Sequence, residues 1–214
     1  MNADTAWVGD ARDSYDRVAA RYADLTQGGL GSLPLEASLV TLFARRVLDS
    51  GGGRVVDVGC GPGLLTADLA SRGLDVVGMD VSRVLLDIAR TNHPHLTLAL
   101  GSVTRMPWRG GSLTGVFCWF VLHHVPDAVL PAAVHELARV LAPGGHLLLG
   151  GHVGESSYVK TQGYGGLPMK VLFARRSNEV YAELLRNAGL VVDAVVALDP
   201  DTPGPTGILL ARKP

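Results

Sequence analysis

Val55-Val56-Asp57-Val58-Gly59-Cys60-Gly61-Pro62-Gly63 carries an apolar run into a carboxylate and then into a glycine-rich turn. Residues 55–58, apolar at nearly every position, read as a strand buried on both faces, and residues 64–70 after the turn read as a helix. Glycine at 59, 61 and 63 permits positive φ and removes the Cβ atoms that would hold a ligand away from the backbone. The turn is therefore a cradle for a nucleotide-like molecule. A second carboxylate, Asp80, ends the next apolar run, Val76-Val77-Gly78-Met79. It lies about 20 residues beyond the glycines, the offset at which a doubly wound fold sets an acid against ribose hydroxyls.

The pattern continues outward from this unit. Apolar runs at 55–58, 76–79, 96–100, 116–120 and 146–149 alternate with helical stretches, which predicts strands of a parallel sheet. Between the last two runs, Val134, Leu137, Val140 and Leu141 form one stripe of a helix over 129–141. Pro131 suits its first turn, and Pro143-Gly144-Gly145 is expected to stop it. Another helix is predicted over 177–188, with Ser177 as N-cap and Gly189 just past its end. Residues 190–198 and 206–211 close the chain as strands. No helix separates them, so this pair is expected to be antiparallel. Two helices precede the sheet. Val18, Tyr22 and Leu25 recur at helical spacing within 11–25, and Leu39, Leu42, Phe43 and Val47 do so within 35–49. Gly28-Gly29-Leu30-Gly31-Ser32 separates them, Pro34 starts the second, and Gly51-Gly52-Gly53 ends this cap. The expected fold is α/β: a Rossmann-like, doubly wound, seven-stranded sheet, mostly parallel with an antiparallel final strand, plus an N-terminal helical cap.

With 214 residues there is room for one domain with a full core. Lys and Arg number 19 against 20 Asp and Glu, so no net field favours nucleic acid or an anionic membrane surface. The N-terminus lacks a basic region followed by an apolar core, and no apolar run reaches the roughly 20 residues of a membrane span. Cys60 and Cys118 belong to no metal-spacing motif and are not expected to form a structural disulfide, which fits a reducing cytoplasm. No metal site is expected.

The motifs together resemble the class I S-adenosylmethionine-dependent methyltransferases, over nearly the whole chain and with less specificity after Gly150. The resemblance rests on the stretch from Val55 to Gly63, on Asp80, on Gly101-Ser102-Val103 followed by Met106-Pro107-Trp108, and on Leu122-His123-His124-Val125. Glu136-Leu137-Ala138-Arg139-Val140-Leu141-Ala142-Pro143-Gly144-Gly145 and the opening Tyr15-Asp16-Arg17-Val18-Ala19-Ala20-Arg21-Tyr22 look like the branch that modifies small molecules, including quinones and natural products. A dinucleotide-binding dehydrogenase would instead follow Gly-x-Gly-x-x-Gly. Ser102 and Thr114 depart from the family, which often carries Asp at both places. At Ser102 a neutral acceptor in place of a charged one is worth about 1 kcal/mol less.

The resemblance implies a single methyltransferase domain over 1–214. Residues 1–50 would be a helical cap or lid, 51–150 the cofactor-binding core, and 151–214 the acceptor-side segment with the last strands. It implies S-adenosylmethionine as cofactor, with S-adenosylhomocysteine as product. Asp57 would accept from the ammonium of the methionine moiety, with Gly59, Cys60, Gly61 and Gly63 letting that moiety pass close. Asp80 would accept from the ribose hydroxyls, Val81 would lie against the adenine, and Ser102 and Val103 would meet its edge. Trp119 would wall the methionine end or serve as a core aromatic. Tyr22, with Tyr15 on the same helix face, would belong to a lid or to simple packing. His123 is the candidate base, with a structural role as the alternative.

Residues 150–176 are expected to be irregular and to line the acceptor pocket through His152, Tyr158, Tyr164, Leu167, Met169 and Phe173. Lys160, Lys170, Arg175 and Arg176 offer charge for an anionic group there, or are simply solvated. The partner implied is a small-molecule acceptor, with no nucleic acid and no membrane span; the sequence leaves the oligomeric state open. Methyl transfer to oxygen, nitrogen or carbon is the leading function. A different reaction on the same cofactor, such as cyclisation or decarboxylation, and a non-catalytic regulatory role are the alternatives.

Overall fold

Val55 and Val56 are adjacent in the chain yet enter different cores, because successive side chains of a strand point to opposite faces. In the computed structural model, which describes residues 3–30, 33–199, 201–202 and 204–214, every central strand is split in this way. Val56, Val116 and Leu147 meet Val134, Leu137 and Leu185 on one side. Val55, Phe117 and Leu148 meet Val40, Phe43 and Val47 on the other. Helices therefore cover both faces of the sheet.

The strands are β1 (Arg54–Val58), β2 (Asp75–Asp80), β3 (Thr97–Leu100), β4 (Leu113–Trp119) and β5 (Leu141–His152), followed by a hairpin of β6 (Ser157–Gly163) and β7 (Leu167–Ala174), then β8 (Val191–Leu198) and β9 (Thr206–Arg212). The helices are α1 (Ala3–Thr26), α2 (Pro34–Asp49), α3 (Leu64–Ser71), α4 (Arg83–Asn92), α5 (Leu130–Val140) and α6 (Asn178–Asn187). The seven-stranded sheet runs β3-β2-β1-β4-β5-β9-β8. Pairings among β1 to β5 are parallel, and β9 is antiparallel to both β5 and β8. The final strand is thus the reversed one, as expected, and it lies inside the sheet with β8 at the edge. Ser177 caps α6 by accepting from the Val180 N–H, and Gly189 follows that helix at φ 84°.

Two expectations need correction. Pro143-Gly144-Gly145 does not form a separate stop after α5; strand β5 begins at Leu141. The Gly144 N–H donates to the Lys213 carbonyl and the Lys213 N–H to the Gly145 carbonyl, so the C-terminal segment draws this stretch into the sheet. The Lys213 ammonium also donates to the carbonyls of Ala138 and Leu141, satisfying the end of α5 without a glycine cap.

The second correction concerns 150–176, which is not irregular. It contains the end of β5 and the antiparallel hairpin β6–β7, turned through Tyr164, Gly165 and Gly166 at φ 50°, 90° and 84°. Met169, Val171 and Phe173 alternate on β7 and bury against Ala11 and Val18 of α1. Ser14 Oγ accepts from the Lys170 N–H at 2.8 Å, Arg17 donates to the Pro168 carbonyl, and Lys170 pairs with Asp10. Helix α1, which starts well before the predicted residue 11, is thereby clamped to the hairpin. Its other anchor is Asp16, which accepts from the Ser82 hydroxyl at the start of α4. The predicted separator 28–32 is described only as far as Leu30; residues 31 and 32 lie outside the described residues.

Candidate active site

β1 lies between β2 and β4, so the strand order reverses beside it, and the carboxyl ends of these strands open into a crevice. The glycine turn fills its floor. Gly59 and Gly61 have φ 72° and 54°. A Cβ on Gly59 would overlap the Val121 side chain, and one on Gly61 would press on the Tyr22 ring. The N–H groups of Gly59 and Cys60 both donate to the Met79 carbonyl, tying the turn to β2.

Asp80 completes that tie. One carboxylate oxygen accepts from the Gly61 N–H and the other from the Ser82 N–H, each at 2.8 Å. Burial pushes its pKa up, and the donors from Ser82 and Gly61 work against that shift by favouring the anion. Asp57 is only 2% exposed, and one of its oxygens accepts from the Thr66 hydroxyl at 2.6 Å. Burial pushes it up to about 7, opposed by the Thr66 bond and reinforced by Asp80. Two buried acids therefore face one crevice with only part of their hydrogen-bonding capacity used.

Two chambers share this crevice. The smaller, about 80 Å³, is lined by Gly61, Asp80, Val81, Ser102 and Val103. The larger, about 570 Å³, is lined by Asp57, Cys60, His123, His152, Lys160 and Phe173 among others. Tyr22, Gly59 and Trp119 wall both, and so do Tyr15 and Phe120. The residues singled out from the sequence for the cofactor, and His123, are thus brought together, with Gly63 the exception among them. Gly63 lines neither chamber; it is the N-cap of α3 at φ 84°, with Ala89 and Leu96 crowding the place of its missing Cβ. Ser102 Oγ lies 3.0 Å from Thr104 Oγ1.

His123 and His124 sit on a single 3₁₀ turn, Leu122–His124, and both are buried. The ring of His124 is fixed at both nitrogens. Its Nδ1–H donates to the Leu172 carbonyl at 2.7 Å, so in the neutral ring Nε2 accepts from the Tyr15 hydroxyl at 2.9 Å. Tyr15 also packs beside Tyr164, ring centroids 6.4 Å apart. This chain joins α1, the turn and the hairpin. Burial holds His124 down to about 4, despite the opposing bond to Leu172. His123 is held well below the usual histidine range by burial, then by His124 and His152. The buried Nδ1 atoms of His123 and His152 have no hydrogen-bond partner among the described residues.

Arg176 holds this turn in place. Its guanidinium donates to the carbonyls of Leu122, Val125 and Ala174, and to Asp127. Of the other basic residues considered for the acceptor side, Lys170 is engaged by Asp10 at the surface, whereas Lys160 lines the larger chamber. Tyr158 stacks on Phe173 from outside and is 45% exposed; Leu167 and Met169 pack toward α1. The sequence reading missed Phe120. It ended the fourth strand at that residue, but the strand stops at Trp119 and Phe120 turns left-handed at φ 57°, an uncommon conformation for an aromatic residue. The one local signal is Gly150-Gly151 opposite: the Phe120 N–H donates to the Gly150 carbonyl, and a Cβ on Gly150 would collide with Trp119.

Residues 55–145 match the sequence family described as a methyltransferase domain. A demethylmenaquinone methyltransferase from Beutenbergia cavernae is 38% identical over 144 residues, covering 65% of this chain and 57% of that protein. Across the first curated relatives the chain spans between 20% and 57% of their length. Among solved structures, a 1,6-didemethyltoxoflavin-N1-methyltransferase of Burkholderia thailandensis aligns with TM-score 0.74 and 16% identity, over 100% of this chain and 91% of that one. The [4+2]-cyclase SpnF aligns with TM-score 0.73 and 19% identity over 97% of each. At such identities the structural likeness concerns the fold, which hosts more than one chemistry. The family match thus takes in less than half of the chain, while the whole chain shares the fold of the solved structures named above.

Arg176 yields a test of how the histidine turn is held. Arg176→Met leaves three carbonyls without their donor and is expected to cost about 3 kcal/mol in urea unfolding. Asp127 is 84% exposed, so Asp127→Asn is expected to cost less than about 1 kcal/mol. Equal losses would mean that the ion pair, not the carbonyl cluster, holds the turn.

Proposed function

We propose that this chain binds S-adenosylmethionine across the ends of β1 and β2 and directs its methyl group to a small-molecule acceptor in the larger chamber. S-adenosylhomocysteine would be the product. The observation that carries this reading is the pair of buried acids, Asp57 and Asp80, on either side of a glycine turn that leaves no Cβ in the way. S-adenosylmethionine supplies an activated methyl group on a sulfonium, so the hard chemistry resides in the cofactor.

The residues present fit that group. Asp80 keeps lone pairs for ribose hydroxyls beyond those used by Gly61 and Ser82. Val81, Ser102 and Val103 offer a surface for adenine. Asp57, with a single side-chain donor on it, has capacity for an ammonium. Gly59, Cys60 and Gly61 admit the methionine moiety, Tyr22 and Trp119 wall it in, and Gly63 shapes the turn from behind.

The chain's own task is alignment and exclusion of water. Tyr15 and Tyr22 of α1, in edge contact at 5.5 Å, roof both chambers and give the lid reading its support. His123 lines the acceptor side, and its buried Nδ1 has no partner among the described residues. Its burial beside Arg175 and Arg176 disfavours the imidazolium, so it accepts a hydrogen bond more readily than it stores a proton. Positioning thus carries most of the rate, and His123 is the base where a base is needed. The match to a demethylmenaquinone methyltransferase and the net charge of −1 support a small molecule over nucleic acid as acceptor. Cys60 and Cys118, both buried free thiols, support a reducing, cytoplasmic setting.

Calorimetric titration with S-adenosylmethionine and S-adenosylhomocysteine tests the reading directly. Micromolar binding is expected, weakened by about 100-fold or more in Asp80→Ala, since charge-assisted bonds are lost. No binding by folded wild-type protein overturns the proposal.

Asp57 gives a second readout. A carboxyl raised to about 7 stabilises the ligand-free protein while protonated, and that contribution fades as pH rises through this value. An ammonium placed beside it lowers the pKa again. At about pH 6.5, binding should therefore release a proton, up to about one per ligand. Titrations in buffers of different ionisation enthalpy measure this, and Asp57→Asn should abolish it. Proton uptake, or release unchanged in the variant, would remove Asp57 from the ammonium site.

A further inference from the structure

The far wall of the larger chamber, across from Asp57, has a chemistry of its own. Lys160 on β6 lines it, with its ammonium 4.8 Å from the Tyr164 ring centroid and 5.1 Å from that of Phe173. Among the described residues no carboxylate pairs with it; the ion pairs of the fold use other cations. Beside it stand His123 and His152, ring centroids 5.0 Å apart, both uncharged imidazoles as their burial dictates. Aromatic rings close the space between them. Phe120 meets His152 edge-on at 4.7 Å, and Phe173 lies 4.9 Å from His123. The carboxylate that lines this chamber, Asp57, stands on β1 and is engaged by Thr66.

We propose that this wall is an acceptor subsite for a planar, conjugated ring bearing an ionised oxygen, a phenolate or an enolate, with Lys160 as the residue that selects the anion. The inference deepens the methyl-transfer reading and rests on it for the role of the ligand as acceptor. A cation set over two ring faces with no carboxylate paired to it is under-neutralised, and an anionic oxygen is the ligand group that completes it. The flanking rings accept a flat molecule edge-on or stacked. An amine acceptor would find no acid here, since the wall carries a cation and neutral imidazoles.

The subsite also relieves the burden on His123. An acceptor oxygen that enters already ionised has no proton to give up in the transfer step. Its lone pair forms the new oxygen–carbon bond while the carbon–sulfur pair stays with sulfur, which becomes a neutral thioether. The proton has left to solvent beforehand, helped by Lys160 holding the anion. A poorly basic, buried His123 is then sufficient as an orienting partner.

The test uses 4-nitrophenol as probe, at a pH where the free phenol is ionised, with 4-nitroanisole as its neutral isostere. Binding is read from the shift of the nitrophenolate absorption band and by calorimetry, with and without S-adenosylhomocysteine. Wild-type protein is expected to favour the phenolate by about tenfold or more, the scale of one charge-assisted hydrogen bond. Lys160→Met should erase that preference and Lys160→Arg should keep it, both with unaltered affinity for S-adenosylhomocysteine, whose site lies at the other end. Equal binding of the two probes, absence of phenolate binding, or an undiminished preference in Lys160→Met overturns the inference. Phenolate selection without any binding of S-adenosylhomocysteine would uphold the subsite and sink the cofactor reading, so the two stand or fall separately.

Discussion

The carboxylate of Asp80 holds the crevice together. Its two oxygens reach backbone donors on separate elements, Gly61 in the turn after β1 and Ser82 at the start of α4. Ser82 passes the connection on, since its hydroxyl donates to Asp16 of α1 and accepts from the Leu85 N–H. Glycine turn, strand end, α4 and roof helix are therefore fixed relative to one another through one buried acid. A buried anion is costly unless hydrogen-bonded, and the bonds that offset the cost here are the same ones that shape the crevice floor.

A comparable knot sits on the other side. The 3₁₀ turn carrying His123 and His124 has few bonds of its own, so it takes its geometry from Arg176 below and from Tyr15 and Leu172 beside it. Because His124 is bonded at both nitrogens and His123 leaves Nδ1 unpartnered, two adjacent and chemically identical side chains acquire different duties. One ties α1 to the hairpin. The other faces the chamber. Sequence adjacency could not distinguish them, and the distinction lies entirely in what each ring meets.

That contrast marks what was legible in the sequence. The glycine turn, Asp57, Asp80 and the strand runs could be read because their geometry is local: positive φ needs glycine, and a strand buried on both faces needs consecutive apolar residues. Ser177 and Gly189 bounded α6 for the same reason. The β6–β7 hairpin escaped because β6 is mostly exposed and polar, with no alternation to read; it exists because β7 buries Met169, Val171 and Phe173 against α1. The reach of β5 back to Leu141 depends on Lys213, some seventy residues away. Phe120 depends on Gly150. Gly63 was legible too, as a left-handed position at the start of α3, while its place behind the chambers depends on Ala89 and Leu96, which the local pattern does not name.

The two ends of the crevice differ in sign, and this follows from where the fold can stabilise buried charge. The ends of β1 and β2 offer backbone N–H groups and the Thr66 hydroxyl, which stabilise carboxylates, so acids collect there. The hairpin and the 3₁₀ turn offer carbonyls and ring faces, which stabilise cations, so Arg176 and Lys160 collect there instead. Between them lie Phe120, Trp119 and Tyr22, whose rings line both chambers. A ligand with a cationic group is drawn to one end and an anionic one to the other. The polarity of the crevice is in this way written into the hydrogen-bonding character of the strand ends and the hairpin.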